Sequence, residues 1–92
     1  MYINSAKLTF YIPQATSLKD KRQVCRSLID KTRRRFNVSI AEVDTQDLPQ
    51  TLTIGLTIVS GGAKHAGLMM DEIIRSIEGY ADAELTDVES YE

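Results

Sequence analysis

The chain has 92 residues, of which 42% are apolar and 26% charged, with 11 Lys and Arg against 13 Asp and Glu. Such a chain makes one small domain, placed at residues 1–92, and area scaling predicts that about 64% of its surface is buried on folding. No apolar stretch approaches the roughly 18 residues of a membrane span, so we expect a cytoplasmic protein that does not enter the membrane. The single cysteine, Cys25, excludes an internal disulfide and a multi-cysteine metal site.

The net charge of −2 conceals a separation along the chain. Residues 19–35 carry eight basic side chains against two acidic ones, a balance of +6. Residues 71–92 carry eight acidic side chains against one arginine, a balance of −7. A cationic patch on an otherwise acidic protein can bind a polyanion, but solvated helix faces also carry charge without any such role.

Hydrophobic periodicity predicts six elements in the order strand, helix, strand, strand, helix, strand. They are placed at residues 2–12, 18–35, 38–44, 51–59, 63–78 and 83–91. Pro13 ends the first strand, and Thr16 or Ser17 is a suitable N-cap for the first helix. Gly79 is expected just beyond the end of the second helix.

This order predicts an α+β fold of the ferredoxin-like βαββαβ type. A four-stranded antiparallel sheet with two right-handed split crossovers places both helices on one face. The other face is then open and presents polar side chains from the first and third strands. These are Ser5, Lys7, Thr9, Tyr11, Thr51, Thr53, Gly55 and Thr57.

The first helix contains the candidate anion-binding and nucleic-acid-binding residues. They are Lys19, Arg22, Arg26, Arg33, Arg34 and Arg35. The first four lie within about 60° of one another on a helical wheel, beside the apolar face, while Lys21, Lys31 and Arg35 form a looser stripe on the opposite side. Arginine suits phosphate because its planar guanidinium donates two parallel hydrogen bonds. The alternative is that these side chains cover the edge of the core and meet acidic groups of the same chain.

Other candidate chemistry is sparse. Glu42 and Asp44 stand two residues apart on a strand, where they would share a face and could bind a divalent cation or act as acid and base. With His65 as the single histidine, an acyl-transfer triad or a two-histidine zinc site is hard to assemble. We therefore expect Glu42 and Asp44 to form ion pairs with the arginine-rich helix end. We predict no catalytic residue, no metal and no cofactor.

Two segments resemble the bacterial YlxP family, small proteins of unknown function. One is SLKDKR at 17–22, and the other is RFNVSIAEVD at 35–44, followed by Gln46 and Asp47. The resemblance runs the length of the chain and implies a ferredoxin-like domain. Relatives are often encoded among translation and ribosome-maturation genes, which implies RNA or the ribosome as a partner. No catalytic residue is established for the family, and this chain has Thr45 and Pro49 where relatives commonly have His and Trp.

We therefore predict a non-enzymatic protein that binds RNA or a ribosomal surface through its first helix. The open sheet face lacks the aromatic platform on which such domains stack bases, so contact through phosphates is expected. The alternative is a protein-interaction domain whose open face or edge strand pairs with a second copy, forming a homodimer, or with another protein. A small hydrolase built around Glu42 and Asp44 would need a cleft that so small a domain seldom forms. No small-molecule substrate is indicated.

Overall fold

A computed structural model describes residues 1–91, in which four strands and two helices follow the predicted order. The strands are β1 (Tyr2–Tyr11), β2 (Ser39–Asp44), β3 (Thr51–Ser60) and β4 (Glu84–Tyr91), and the helices are α1 (Leu18–Arg35) and α2 (Ala63–Tyr80). The sheet has the order β2-β3-β1-β4, with every neighbouring pair antiparallel. The predicted ferredoxin-like α+β fold is therefore confirmed.

The core lies between the sheet and the two helices. The alternation in β1 and β3 directs their apolar side chains to the same face, where Leu8 lies opposite Ile54 and Phe10 opposite Leu52. These four side chains are fully buried. Burial of a side chain of this size contributes about 1.5–3 kcal/mol, so the paired central strands account for much of the stability of the fold.

The start of α1 is fixed by side-chain hydrogen bonds. Ser17 is the N-cap, and its Oγ accepts a hydrogen bond from the Asp20 backbone N–H at 3.2 Å. The Asp20 carboxylate in turn accepts hydrogen bonds from the backbone N–H and the hydroxyl of Thr16 at 3.0 and 2.8 Å. These bonds, chiefly the one from the Thr16 backbone, lower the pKa of Asp20 below its ordinary value of 3.8.

The second helix ends later than predicted. Gly79 lies inside α2 rather than beyond its end, and the helix continues to Tyr80. The Tyr80 hydroxyl is 2.6 Å from the buried Thr32 hydroxyl of α1, and the Ala81 N–H donates to Ile77 O at 2.8 Å. Packing of Tyr80 on α1 therefore extends the helix by two residues, Gly79 and Tyr80, beyond its predicted end at residue 78.

Candidate nucleic-acid interface

A groove of about 350 Å³ separates α1 from the edge strand β2. Arg22, Arg26 and Arg33 line its helical side, and Ile40–Glu42 line its strand side. Lys19, also exposed, stands three residues before Arg22 on the same helix. We call these four residues, Lys19, Arg22, Arg26 and Arg33, the basic stripe. The structure thus brings three of the predicted anion-binding arginines to one concave surface.

Arg33 is held in this groove by the sheet. Its Nη2 donates a hydrogen bond to the backbone carbonyl of Ile40 at 3.1 Å. Because β2 is an edge strand, this bond occupies one of the backbone groups that would otherwise be open to pairing with another strand. A guanidinium has five N–H donors, so the fixed side chain can still donate to a ligand in the groove.

Two of the six predicted residues lie elsewhere. Arg35 lies on the side of α1 that faces α2, with its Cζ 5.8 Å from the centre of the Tyr80 ring and 5.7 Å from that of Phe36. Lys31 Nζ lies 6.0 Å from the centre of the same Tyr80 ring. Arg34 is exposed and does not line the groove. The cluster at 33–35 therefore points in separate directions, and only Arg33 belongs to the basic stripe.

Lys21 departs most from the prediction. We expected it on an exposed stripe with Lys31 and Arg35, but its side chain is only 1% exposed. Its Nζ donates to the carbonyls of Thr45, Gln46 and Thr51 at 2.6, 3.1 and 3.3 Å. The helical wheel places position 21 inside the apolar arc, between Cys25 and Leu28, and that was the signal that could have identified it.

The buried ammonium also lies against a carboxylate. Lys21 Nζ is 3.1 Å from Glu42 Oε2, yet this oxygen receives no hydrogen bond from any described residue. An ammonium has three protons, and three carbonyls already accept them, so the contact with Glu42 is an ion pair without a directed hydrogen bond. Lys21 thus connects α1 to β2, the two sides of the groove.

The loop from 45 to 50 is held by the same contacts. Thr45 has a φ of 60°, a left-handed conformation that costs a residue with a side chain about 1–2 kcal/mol. Its hydroxyl is 2.9 Å from that of Thr53 and 2.6 Å from the carbonyl of Asp44. The strained turn therefore persists because Lys21 and the Thr45 hydroxyl bind the surrounding backbone.

The prediction that Glu42 and Asp44 share a face is wrong. Glu42 pairs with Ile54 and Asp44 with Thr53, so Val43 is an extra residue that forms a β-bulge. The bulge interrupts the alternation of faces, and the two carboxylates point to opposite sides of the sheet. Each forms an ion pair, as expected, but with a lysine rather than an arginine: Glu42 with Lys21, and Asp44 with Lys7 at 3.3 Å.

The cations of the basic stripe form no salt bridge with a carboxylate of residues 1–91. In the part of the chain that the structure describes, the salt bridges are Lys7–Asp44, Lys7–Glu89 and Lys21–Glu42. None of them involves the basic stripe.

His65 is exposed at the start of α2, and no group of three or more His, Cys, Asp or Glu within residues 1–91 is arranged to hold a metal ion. Neither helix in this range is long and apolar enough to cross a membrane.

The chain order and sheet topology define the class of protein as a ferredoxin-like α+β domain. The solution NMR structure of a de novo designed protein with a ferredoxin fold superposes on this chain with a TM-score of 0.64. The two sequences are 16% identical, and the match covers 100% of this chain and 87% of that chain. Residues 3–90 match the family described as "Protein of unknown function (DUF503)". Over 84 residues, 91% of each chain, the sequence is 30% identical to the uncharacterized protein YlxP of Bacillus subtilis (strain 168). The chain therefore belongs to the DUF503 family, which confirms the resemblance to YlxP proteins.

Proposed function

We propose that this protein is a non-enzymatic cytoplasmic module that binds structured RNA, including RNA exposed on the ribosome, through the groove between α1 and β2. The observation that carries the proposal is the alignment of Arg22, Arg26 and Arg33 on one side of that groove. Among residues 1–91 no carboxylate forms a salt bridge with them. Guanidinium groups stay charged at neutral pH and donate paired hydrogen bonds to phosphate, so this alignment suits a polyanion.

The length of the basic stripe suits several phosphates in a row. With a rise of about 1.5 Å per residue, positions 19 and 33 are separated by about 21 Å along α1. Four cations that each neutralise a phosphate would make log K fall with log salt concentration at a slope of about −3 to −4. A measured slope in this range would indicate about four contacts with phosphates, which is the number of cations in the basic stripe.

Recognition would be through the backbone rather than the bases. The groove is lined by arginines, aliphatic side chains and acidic side chains, with no aromatic ring among its described lining residues. The open sheet face has threonines and Gly55 on β3, where RNA-binding domains of this topology place stacking aromatics. Phosphate contacts bring affinity without sequence information, so we expect a preference for folded RNA but little discrimination between sequences.

The proposal is tested by titrating a fluorescently labelled RNA hairpin with the protein at increasing salt. The wild type should bind at low salt and weaken steeply as salt rises. The double variant Arg22→Gln/Arg26→Gln leaves the Arg33–Ile40 hydrogen bond intact and should lose about tenfold or more in affinity, with a slope shallower by about 2.

The matched control is Lys64→Gln/Arg75→Gln, which removes the same charge from exposed positions of α2. It should retain most of the affinity. Equal losses in the two double variants would show that net charge, rather than the groove, determines binding. Absent or salt-insensitive binding would overturn the proposal.

A further inference from the structure

The uncovered face of the sheet is a second charged surface, opposite in sign to the basic stripe. The register places Glu89 opposite Lys7 and Asp87 opposite Thr9, and the bulge at Val43 adds Asp44 to the same face. Lys7, the one basic residue that the described strands contribute to this face, has its Nζ 3.3 Å from Asp44 and 3.6 Å from Glu89. The acidic residues of the face are Asp44, Glu84, Asp87 and Glu89. The strands therefore present an excess of negative charge.

The same face also exposes several apolar side chains. Ile3 and Val59 lie opposite each other across β1 and β3 and are 57% and 61% exposed. Val43 and Tyr91 are more than two-fifths exposed and line a depression of about 370 Å³ beside Gly55. A Cβ on Gly55 would lie 2.8 Å from Val43 Cγ1, so a larger residue there would displace Val43. The depression therefore depends on glycine at this position.

We infer that this face binds a basic amphipathic segment of a partner protein. Apolar side chains of the partner would cover Ile3, Val43, Val59 and Tyr91, while its lysines and arginines would meet the acidic residues of β2 and β4. Apolar contacts bring affinity to a protein interface, and opposite charges beside them give specificity and rapid association. The inference goes beyond RNA binding, since it concerns the opposite face of the molecule.

Charge also distinguishes this partner from a second copy of the chain. Two open faces packed together would bring eight carboxylates and only two lysines into one interface, and an excess of like charge across an interface is unfavourable. The observations therefore favour a cationic partner over the homodimer through this face. The two groups of residues are separated by the sheet, so RNA in the groove and a peptide on the open face do not compete for the same side chains.

The test uses the full chain labelled with ¹⁵N and a synthetic helical peptide of leucine and lysine in an amphipathic pattern. Amide shifts should change on the open face of β1 and β3, and the affinity should fall as salt rises. A peptide in which glutamate replaces every lysine should not bind. The variant Ile3→Ser/Val59→Ser should weaken binding about tenfold or more, because it removes the exposed apolar pair at one end of the face.

Two control variants distinguish binding at the open face from a general loss of exposed apolar surface and from RNA binding in the groove. Leu68→Ser removes a side chain of similar exposure, 60%, from α2 and should bind the peptide as the wild type does. Arg22→Gln/Arg26→Gln should also bind it normally, so failure of RNA binding leaves this result unaffected. Shifts confined to the helices, equal binding of the glutamate peptide, or a concentration-dependent dimer that buries this face would each overturn the inference.

Discussion

Lys21 Nζ lies 3.1 Å from Glu42 Oε2, while its three protons are donated to the backbone carbonyls of Thr45, Gln46 and Thr51. A single buried ammonium therefore holds together α1, β2 and the loop at 45–50. Since α1 and β2 are the two sides of the groove, the width of the candidate RNA site depends on a residue that does not itself line it.

Replacement of Lys21 should be costly. Lys21→Met leaves the Glu42 carboxylate partly buried without its cation and three carbonyls without donors, and breaking a buried pair in this way costs about 3–5 kcal/mol. Urea denaturation should show a large loss in the free energy of unfolding. Lys19→Met, an exposed control two residues away, should change it by less than about 0.5 kcal/mol. Equal effects of the two variants would contradict the contacts described for Lys21.

Gly55 and Gly67 should respond in opposite directions to alanine. Gly55→Ala forces the new methyl group against Val43, and overpacking of this kind costs about 1–3 kcal/mol. Gly67 lies inside α2, and apart from its chain neighbours and the backbone of its own helix nothing lies within 4 Å of an added Cβ, so Gly67→Ala should stabilise the protein by about 0.5–1 kcal/mol. Thermal denaturation of the two variants measures both effects, and a stabilising Gly55→Ala would show that the Val43 side chain moves aside without cost.

Asp20 should contribute to the loss of stability in acid. Hydrogen bonds from Thr16 lower its pKa in the folded state below 3.8, so its contribution is present above 3.8 and is lost as the pH falls through the folded-state pKa. An NMR titration of the Asp20 carboxyl should give a midpoint below 3.8. The difference in unfolding free energy between wild type and Asp20→Asn should shrink over the same pH range. A difference that does not vary with pH would contradict the capping contacts.

The contact between Thr32 and Tyr80 should account for the extended end of α2. Tyr80→Phe keeps the ring but removes the hydroxyl that lies 2.6 Å from Thr32 Oγ1. Loss of one such hydrogen bond costs about 0.5–1.5 kcal/mol. Amide hydrogen exchange of residues 78–81 should accelerate in this variant. Unchanged exchange at residues 78–81 would show that another contact determines where the helix ends.

The fold was predictable because its signals are local and periodic. Leu8 and Phe10 alternate with polar neighbours in β1, and Leu52 and Ile54 do so in β3, which is sufficient to orient a sheet with one covered face. The apolar stripe of α1 likewise determined which side of the helix meets that sheet. These patterns repeat over many residues, so a single exception does not alter them.

The site was predicted only in part because its geometry depends on contacts between elements. The bulge at Val43 arises from the register of β2 on β3, and the spacing of Glu42 and Asp44 in the sequence gives no sign of it. The sequence favours an exposed Lys21 because a lysine is almost never fully buried without partners, and its partners are backbone carbonyls 24 to 30 residues away. A sequence pattern identifies the cation, but the acceptors become visible only once the chain is folded.

The central claim is that the groove between α1 and β2 binds RNA, and chemical-shift mapping of the ¹⁵N-labelled protein with an RNA hairpin tests it most directly. The account predicts that the largest shifts fall on residues 19–33 of α1 and on Ile40–Glu42, and that at equal concentrations they are much smaller in Arg22→Gln/Arg26→Gln. Shifts confined to α2 or to the open sheet face, or no shifts at low salt, would contradict it.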